Sequence, residues 1–145
     1  MTATSALAWG FPSGVRDALS AYGARFDAPF WASFRVDGDT RSVALPDGTV
    51  ITEKLVEEWN GGYRYHASGV DGITEYEGSF AVNDDGLTTS LTWRTAFETR
   101  DTPSATRMLT INATGGQAML AALTVRFTPQ VLTPEPTADE ILMPD

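Results

Sequence analysis

Between Thr49 and Thr99 the chain alternates apolar and polar residues, and each break in the alternation falls at a turn sequence. Successive side chains of a strand point to opposite faces. A run of this kind therefore builds an antiparallel meander with one apolar and one polar face. The strands read as Thr49–Trp59, Gly62–Val70, Thr74–Asn83 and Leu87–Thr99. Asp71-Gly72 is a favoured type I′ hairpin sequence. It sets Ala67 opposite Tyr76, Tyr65 opposite Gly78 and Tyr63 opposite Phe80. Asn83-Asp84-Asp85-Gly86, taken as the next loop, sets Val82 opposite Leu87, Gly78 opposite Leu91 and Tyr76 opposite Trp93. The two turns sort the side chains in the same way. One face holds Tyr63, Tyr65, Ala67, Tyr76, Gly78, Phe80, Val82, Leu91, Trp93 and Phe97. The other holds Arg64, His66, Ser68, Glu75, Glu77, Ser79, Thr92 and Arg94, with His66 paired to Glu77 and Glu75 to Arg94 across the strands.

An earlier hairpin feeds this meander. Arg41–Leu45 runs into Pro46-Asp47-Gly48. A two-residue Asp47-Gly48 loop opposes Arg41 to Lys54, two like charges. A three-residue loop with Gly48 in a left-handed bulge position opposes Val43 to Ile51 and Arg41 to Glu53, and this register is preferred because it matches charge to charge. It places Arg41, Val43, Leu45, Ile51, Glu53, Leu55, Glu57 and Trp59 on one face, which a three-residue Asn60-Gly61-Gly62 turn joins to Tyr63 and Tyr65. An ion pair, Arg41 with Glu53, then points to the aromatic side.

The flanks read as follows. Thr2–Trp9 is a first strand showing Ala3, Ser5, Leu7 and Trp9 on one side. Ser13 is a candidate N-cap for a helix carrying Val15, Leu19 and Tyr22, stopped by Gly23. Phe26–Trp31 is a short turn or second helix, and Ser33–Asp37 and Thr40–Leu45 are strands. Asp101-Thr102-Pro103-Ser104 opens a long helix whose apolar side runs from Met108, Leu109 and Ile111 to Met119, Leu120, Leu123 and Phe127. Gly115-Gly116 should weaken or kink it. From Thr128 onward the chain is rich in proline and acid and reads as a mostly extended tail, in which Ile141-Leu142-Met143 docks on the body or on a partner. One domain over residues 1–127 and a tail over 128–145 are expected. The fold class is α+β: a curved antiparallel sheet of about six to seven strands gripping a long C-terminal helix, with one or two short helices after strand 1.

At 145 residues the chain is long enough for a real core. Its net charge of −9 argues against nucleic acid and anionic membranes as partners. With no cysteine there is neither disulfide nor thiolate chemistry. No apolar run approaches the roughly 20 residues of a membrane helix, so no membrane insertion is expected, and the first residues lack the basic start of a signal peptide. The expectation is a cytoplasmic monomer or homodimer. Nothing calls for a cofactor: no glycine-rich phosphate loop precedes a helix, and a single histidine supplies no metal site.

The order of elements, with several stretches as they stand here, resembles the START-like helix-grip superfamily, SRPBCC, and within it the polyketide cyclase/dehydrase type. Pro12–Leu19 looks like its first helix after a proline, and Phe30-Trp31 like the aromatic that ends the short helical pair. Thr40–Val50 followed by Thr52–Leu55 resembles its "R-x-V-x-L-x-D-G … E-x-L" hairpin. Tyr63-Arg64-Tyr65, Glu75–Gly78 and Leu91–Arg94 look like its later strands. Arg16 stands where the family has a tryptophan. The resemblance implies a hydrophobic cavity between sheet and helix that takes an apolar, oxygenated small molecule, polyketide-like in class, and either cyclises or dehydrates it or only carries it. A third reading makes the acidic tail a protein-docking segment.

On that reading Arg41, Glu53 and Tyr65 are the candidate catalytic residues. Arg41 and the Tyr65 hydroxyl polarise a carbonyl, and Glu53 positions or accepts a proton. A neighbouring arginine should keep the Glu53 pKa low. Trp31, Val43, Leu55, Tyr63, Tyr76, Phe80, Trp93 and Met119 are the candidate ligand-binding residues. The bland alternative is a structural ion pair bracing the hairpin, with the aromatics as plain core. His66 is expected on the solvent face.

Overall fold

The computed structural model describes residues 1–28, 34–45, 47–127 and 141–143. The element order is β1 (Thr2–Pro12), α1 (Arg16–Gly23), β2 (Phe34–Asp37), β3 (Thr40–Ala44), β4 (Val50–Trp59), β5 (Gly62–Ser68), β6 (Ile73–Asp84), β7 (Thr88–Thr99), α2 (Thr102–Arg126) and β8 (Ile141–Met143). The strands form one antiparallel sheet of eight, ordered β2-β3-β4-β5-β6-β7-β1-β8. The long helix α2 lies across it, packed on β1, β6 and β7. This is the expected grip, with one more strand: Ile141–Met143 pairs with Thr2–Thr4 along the outer edge of β1.

The β3–β4 hairpin has the three-residue loop. Arg41 faces Glu53 and Val43 faces Ile51. The Leu45 N–H donates to the Thr49 carbonyl at 2.8 Å and Gly48 takes φ of 90°; Pro46 lies outside the described residues. The β5–β6 pairing also follows the reading, with Tyr63 opposite Phe80 and Tyr65 opposite Gly78. Of the two central residues Asp71 and Gly72 only Gly72 takes a positive φ, 84°, so this turn is not type I′.

Two registers differ from expectation. Strands β6 and β7 are offset by four residues: Val82 faces Leu91, Phe80 faces Trp93, and Tyr76 faces Phe97. Asn83 and Asp84 continue the strand, and the loop contracts to Gly86-Leu87. The Asp85 carboxylate accepts the N–H groups of Leu87 and Thr88 at 2.9 and 2.8 Å, and Gly86 supplies a positive φ of 88° at the first central position, as a type II′ turn requires. An even offset preserves the faces, but Arg94 now meets Ser79, and Glu75 lies opposite Glu98 rather than Arg94.

In β4 a bulge follows Leu55. The added residue reverses the alternation, so Glu57 and Trp59 turn away from the expected face and Glu58 comes in opposite Tyr63. Trp59 is 44% exposed, and its ring lies across Gly62, where an added Cβ would stand 2.6 Å from it. The turn is the two-residue Asn60-Gly61, not the three-residue one expected.

The helices carry the remaining corrections. Helix α1 begins after Val15, with no side-chain cap, and Ser13 sits in an exposed turn. Helix α2 is capped by Asp101, whose Oδ1 accepts the Ser104 N–H at 2.8 Å. It stays helical through Gly115-Gly116. Gly116 is there for close approach: an added Cβ would stand 2.7 Å from Leu7 Cδ1.

Candidate functional site

Beyond the stretch where α2 rests on β1, helix and sheet enclose a cavity of about 570 Å³. Its sheet wall carries Arg41 and Val43 from β3, Ile51 and Glu53 from β4, Tyr65 from β5, Tyr76 and Phe80 from β6, and Trp93 from β7. Its helix wall carries Met108, Ile111 and Asn112 from α2. The rings form a continuous platform, with Phe80 stacked on Trp93 at 5.3 Å and on Tyr63 at 5.4 Å between centroids.

Of the residues singled out in the sequence, Arg41, Glu53, Tyr65, Val43, Tyr76, Phe80 and Trp93 come together on this wall. Tyr63, Leu55 and Met119 do not line it. Tyr63 is fully buried, with its hydroxyl accepting from Arg41 Nη1 at 3.1 Å. Leu55 sits at the bulge. Met119 shares the buried stripe of α2 with Gly116 and Leu123, the stripe whose Gly116 presses on Leu7. Trp31 lies outside the described residues.

Arg41 and Glu53 meet as buried partners, with Arg41 2% exposed and the Glu53 side chain 11% exposed. Arg41 Nε and Nη2 both lie 2.6 Å from Glu53 Oε1. Arg41 Nη1 donates to the Phe26 carbonyl at 3.0 Å as well as to Tyr63, and the guanidinium lies over the Phe26 ring at 4.5 Å. Burial opposes the charge on Arg41, but Tyr63 and Glu53 outweigh it and raise its pKa. Burial also dominates at Glu53 and raises its pKa above 4.5, with Arg41 pulling the other way. The expectation of a low Glu53 pKa is thereby corrected.

The phenols form a second polar group. Tyr65 Oη accepts the Trp93 indole N–H at 3.0 Å. Tyr76 Oη donates to Asn112 Oδ1 at 3.2 Å, and Asn112 Nδ2 donates to Thr95 Oγ1 at 3.2 Å. Burial raises the pKa of Tyr63, Tyr65 and Tyr76, so they act as neutral donors and acceptors, not as bases. Asn112 and Thr95 escaped the sequence reading. The available signal was an asparagine one turn after Met108 on the apolar stripe of a helix, where a poor helix former with a polar side chain needs a buried partner.

His66 stands on the outer face, its side chain 59% exposed, 3.8 Å from Glu77. Among the described residues no three His, Asp or Glu side chains converge in a way that holds a metal ion, and no helix is long and apolar enough to cross a membrane.

The fold can be matched to solved structures. XoxI from Bacillus cereus superposes with a TM-score of 0.68 at 16% identity, covering 84% of this chain and 94% of its own. Norcoclaurine synthase from Thalictrum flavum, in complex with dopamine and hydroxybenzaldehyde, gives 0.63 at 15% identity, covering 86% of each chain. The di-domain ARO/CYC protein BexL from the BE-7585A biosynthetic pathway gives 0.59 at 12% identity, covering 89% of this chain and 51% of BexL. No protein-family model matches the sequence, and no curated protein matches it. At such identities the likeness is one of fold, and what it shows is that this chain has a helix-grip fold.

Proposed function

We propose that the protein binds an apolar, oxygenated small molecule of polyketide-like class in the cavity and promotes its cyclisation or dehydration. The observation that carries the reading is a buried carboxylate, Glu53, set in the wall of an otherwise aromatic and aliphatic cavity of about 570 Å³. A volume of this size takes a molecule of two or three fused rings. The neighbours lend support in kind: one is crystallised with two small oxygenated aromatics, and another is an ARO/CYC protein.

In this reading shape does most of the work, folding a flexible chain so that its reacting carbons meet. Glu53 removes a proton from a carbon next to a carbonyl, and its raised pKa makes it a stronger base than an exposed glutamate. The carbanion closes on a second carbonyl. The new alkoxide recovers the proton, and loss of water completes a dehydration. The Tyr65 hydroxyl polarises the receiving carbonyl. Arg41 is a positioning residue, since its Nε and Nη2 hold Glu53 while Nη1 serves Phe26 and Tyr63. A second reading, a carrier without chemistry, draws on that same engagement of Arg41, which turns the strongest electrophile of the site away from a ligand.

Native mass spectrometry of protein purified from its producing cell tests the proposal. A bound molecule converted on incubation to a product of equal mass, or lighter by one water, is expected. Conversion should be lost in Glu53→Gln while binding persists. A bound molecule that never changes would establish the carrier.

A further inference from the structure

Building on the cavity reading above, we propose that Glu53 makes the cavity selective for neutral ligands that donate a hydrogen bond, the hydroxyl of a phenol or an enol, and that Glu53 Oε2 receives it. Both Arg41 contacts converge on the other oxygen, Oε1, at 2.6 Å. Among the described residues Oε2 accepts no hydrogen bond, although its side chain is only 11% exposed and lines the cavity. Of the neighbouring hydroxyls, Tyr63 accepts from Arg41, Tyr65 accepts from Trp93, and Tyr76 donates to Asn112; among the described residues none donates to Oε2. The ion pair thus presents an acceptor to the cavity while the Arg41 donors engage Glu53, Phe26 and Tyr63.

Oε2 opens onto the cavity, and a ligand that fills the cavity without donating to it takes away its water at a cost. A ligand hydroxyl removes that cost. An ether or ketone of the same shape leaves Oε2 unpaired and sets lone pairs against it. Charge restricts the class further. An anion would meet Glu53 in a protein of net charge −9, and a cation would find the carboxylate already balanced by the Arg41 guanidinium 2.6 Å away. The neutral hydroxyl is what remains.

The probes are 2-naphthol and 2-methoxynaphthalene, which share an aromatic frame and differ in the one donor. Calorimetric titration of the wild-type protein should show 2-naphthol bound at least roughly tenfold tighter. In Glu53→Gln the amide oxygen will face the Arg41 donors and the NH2 will face the cavity, so the preference should vanish or reverse toward the ether. Equal affinity of the wild type for both probes, or an unchanged preference in Glu53→Gln, would overturn the proposal and leave the cavity reading standing. Binding of neither probe would overturn both. The wild-type comparison decides alone if Glu53→Gln does not fold.

Discussion

The two halves of the sheet receive the same helix in opposite ways. Over β1, α2 comes down hard: Gly116 lets the backbone approach Leu7, and Trp9, Phe11, Met119 and Leu123 are buried around the contact. Over β3, β4 and β5 it stands off, and the gap is the cavity, lined by Arg41, Glu53 and Tyr65. One half is held by close packing and the other by hydrogen bonds and one ion pair. The packed half seats the helix, and the gap in the other half follows from that seating. Close packing and the cavity therefore draw on different residues of one sheet.

The largest effect should come from breaking the ion pair that braces the open half. Arg41→Leu leaves Glu53 buried beside an apolar side chain, and chemical denaturation should show a loss of about 3–5 kcal/mol. A loss below about 1 kcal/mol would mean that the pair behaves like one at the surface.

Enlarging a side chain in each half sharpens the contrast. Gly116→Leu forces its side chain into Leu7 and should cost about 1–3 kcal/mol, part of it recovered by adding Leu7→Ala. Ala67→Leu, which extends into the cavity, should be neutral or stabilise by about 1 kcal/mol while weakening 2-naphthol binding. Equal costs at the two sites would erase the distinction between a packed and an open half.

Asn112→Ala removes the partner of Tyr76 and Thr95 on the helix wall and should cost about 1–3 kcal/mol in thermal unfolding. The cost should be smaller when Tyr76→Phe is already present, since the two share one hydrogen bond. Additive costs would show that the network is not coupled.

The subtlest effect is on pH. The Glu53 pKa is raised on folding, so the folded state holds this proton more tightly than the unfolded chain. Its contribution is present below 4.5 and is lost as pH rises through the folded-state value. The stability of wild type relative to Glu53→Gln should therefore be greatest in acid and shrink as pH rises above 4.5. Asp47, Asp84, Asp85 and Asp101, lowered by backbone N–H groups of Thr49, Gly86, Thr88 and Ser104, act in the opposite sense. They are common to both proteins and cancel in the difference. A gap that widens with pH would show that Arg41, not burial, governs Glu53.

Much of the open half was legible in the sequence. Alternation assigns each residue to a face, and that assignment survives any slip by an even number of residues. The β6–β7 offset of four residues therefore moved Trp93 from Tyr76 to Phe80 without taking either off the apolar wall. Charge matching across Pro46-Asp47-Gly48, read as a three-residue loop, was enough to bring Arg41 to Glu53. The bulge after Leu55 was hidden because Val56-Glu57-Glu58-Trp59 carries no glycine or proline to mark it. Asn112 was passed over because a helix stripe read by periodicity is scored for its apolar members.

What the sequence determined by itself is local: where strands turn, which side each residue faces, and that one charged pair lies among aromatics. These follow from the period of two and from glycine φ, which need no distant partner. The tertiary structure decided the rest. Whether Gly115-Gly116 breaks the helix or seats it depends on Leu7, far away in the chain. Whether the Glu53 pKa is held low by arginine or raised by burial depends on the assembled fold, because desolvation is set by everything that surrounds the carboxylate and not by its neighbour alone.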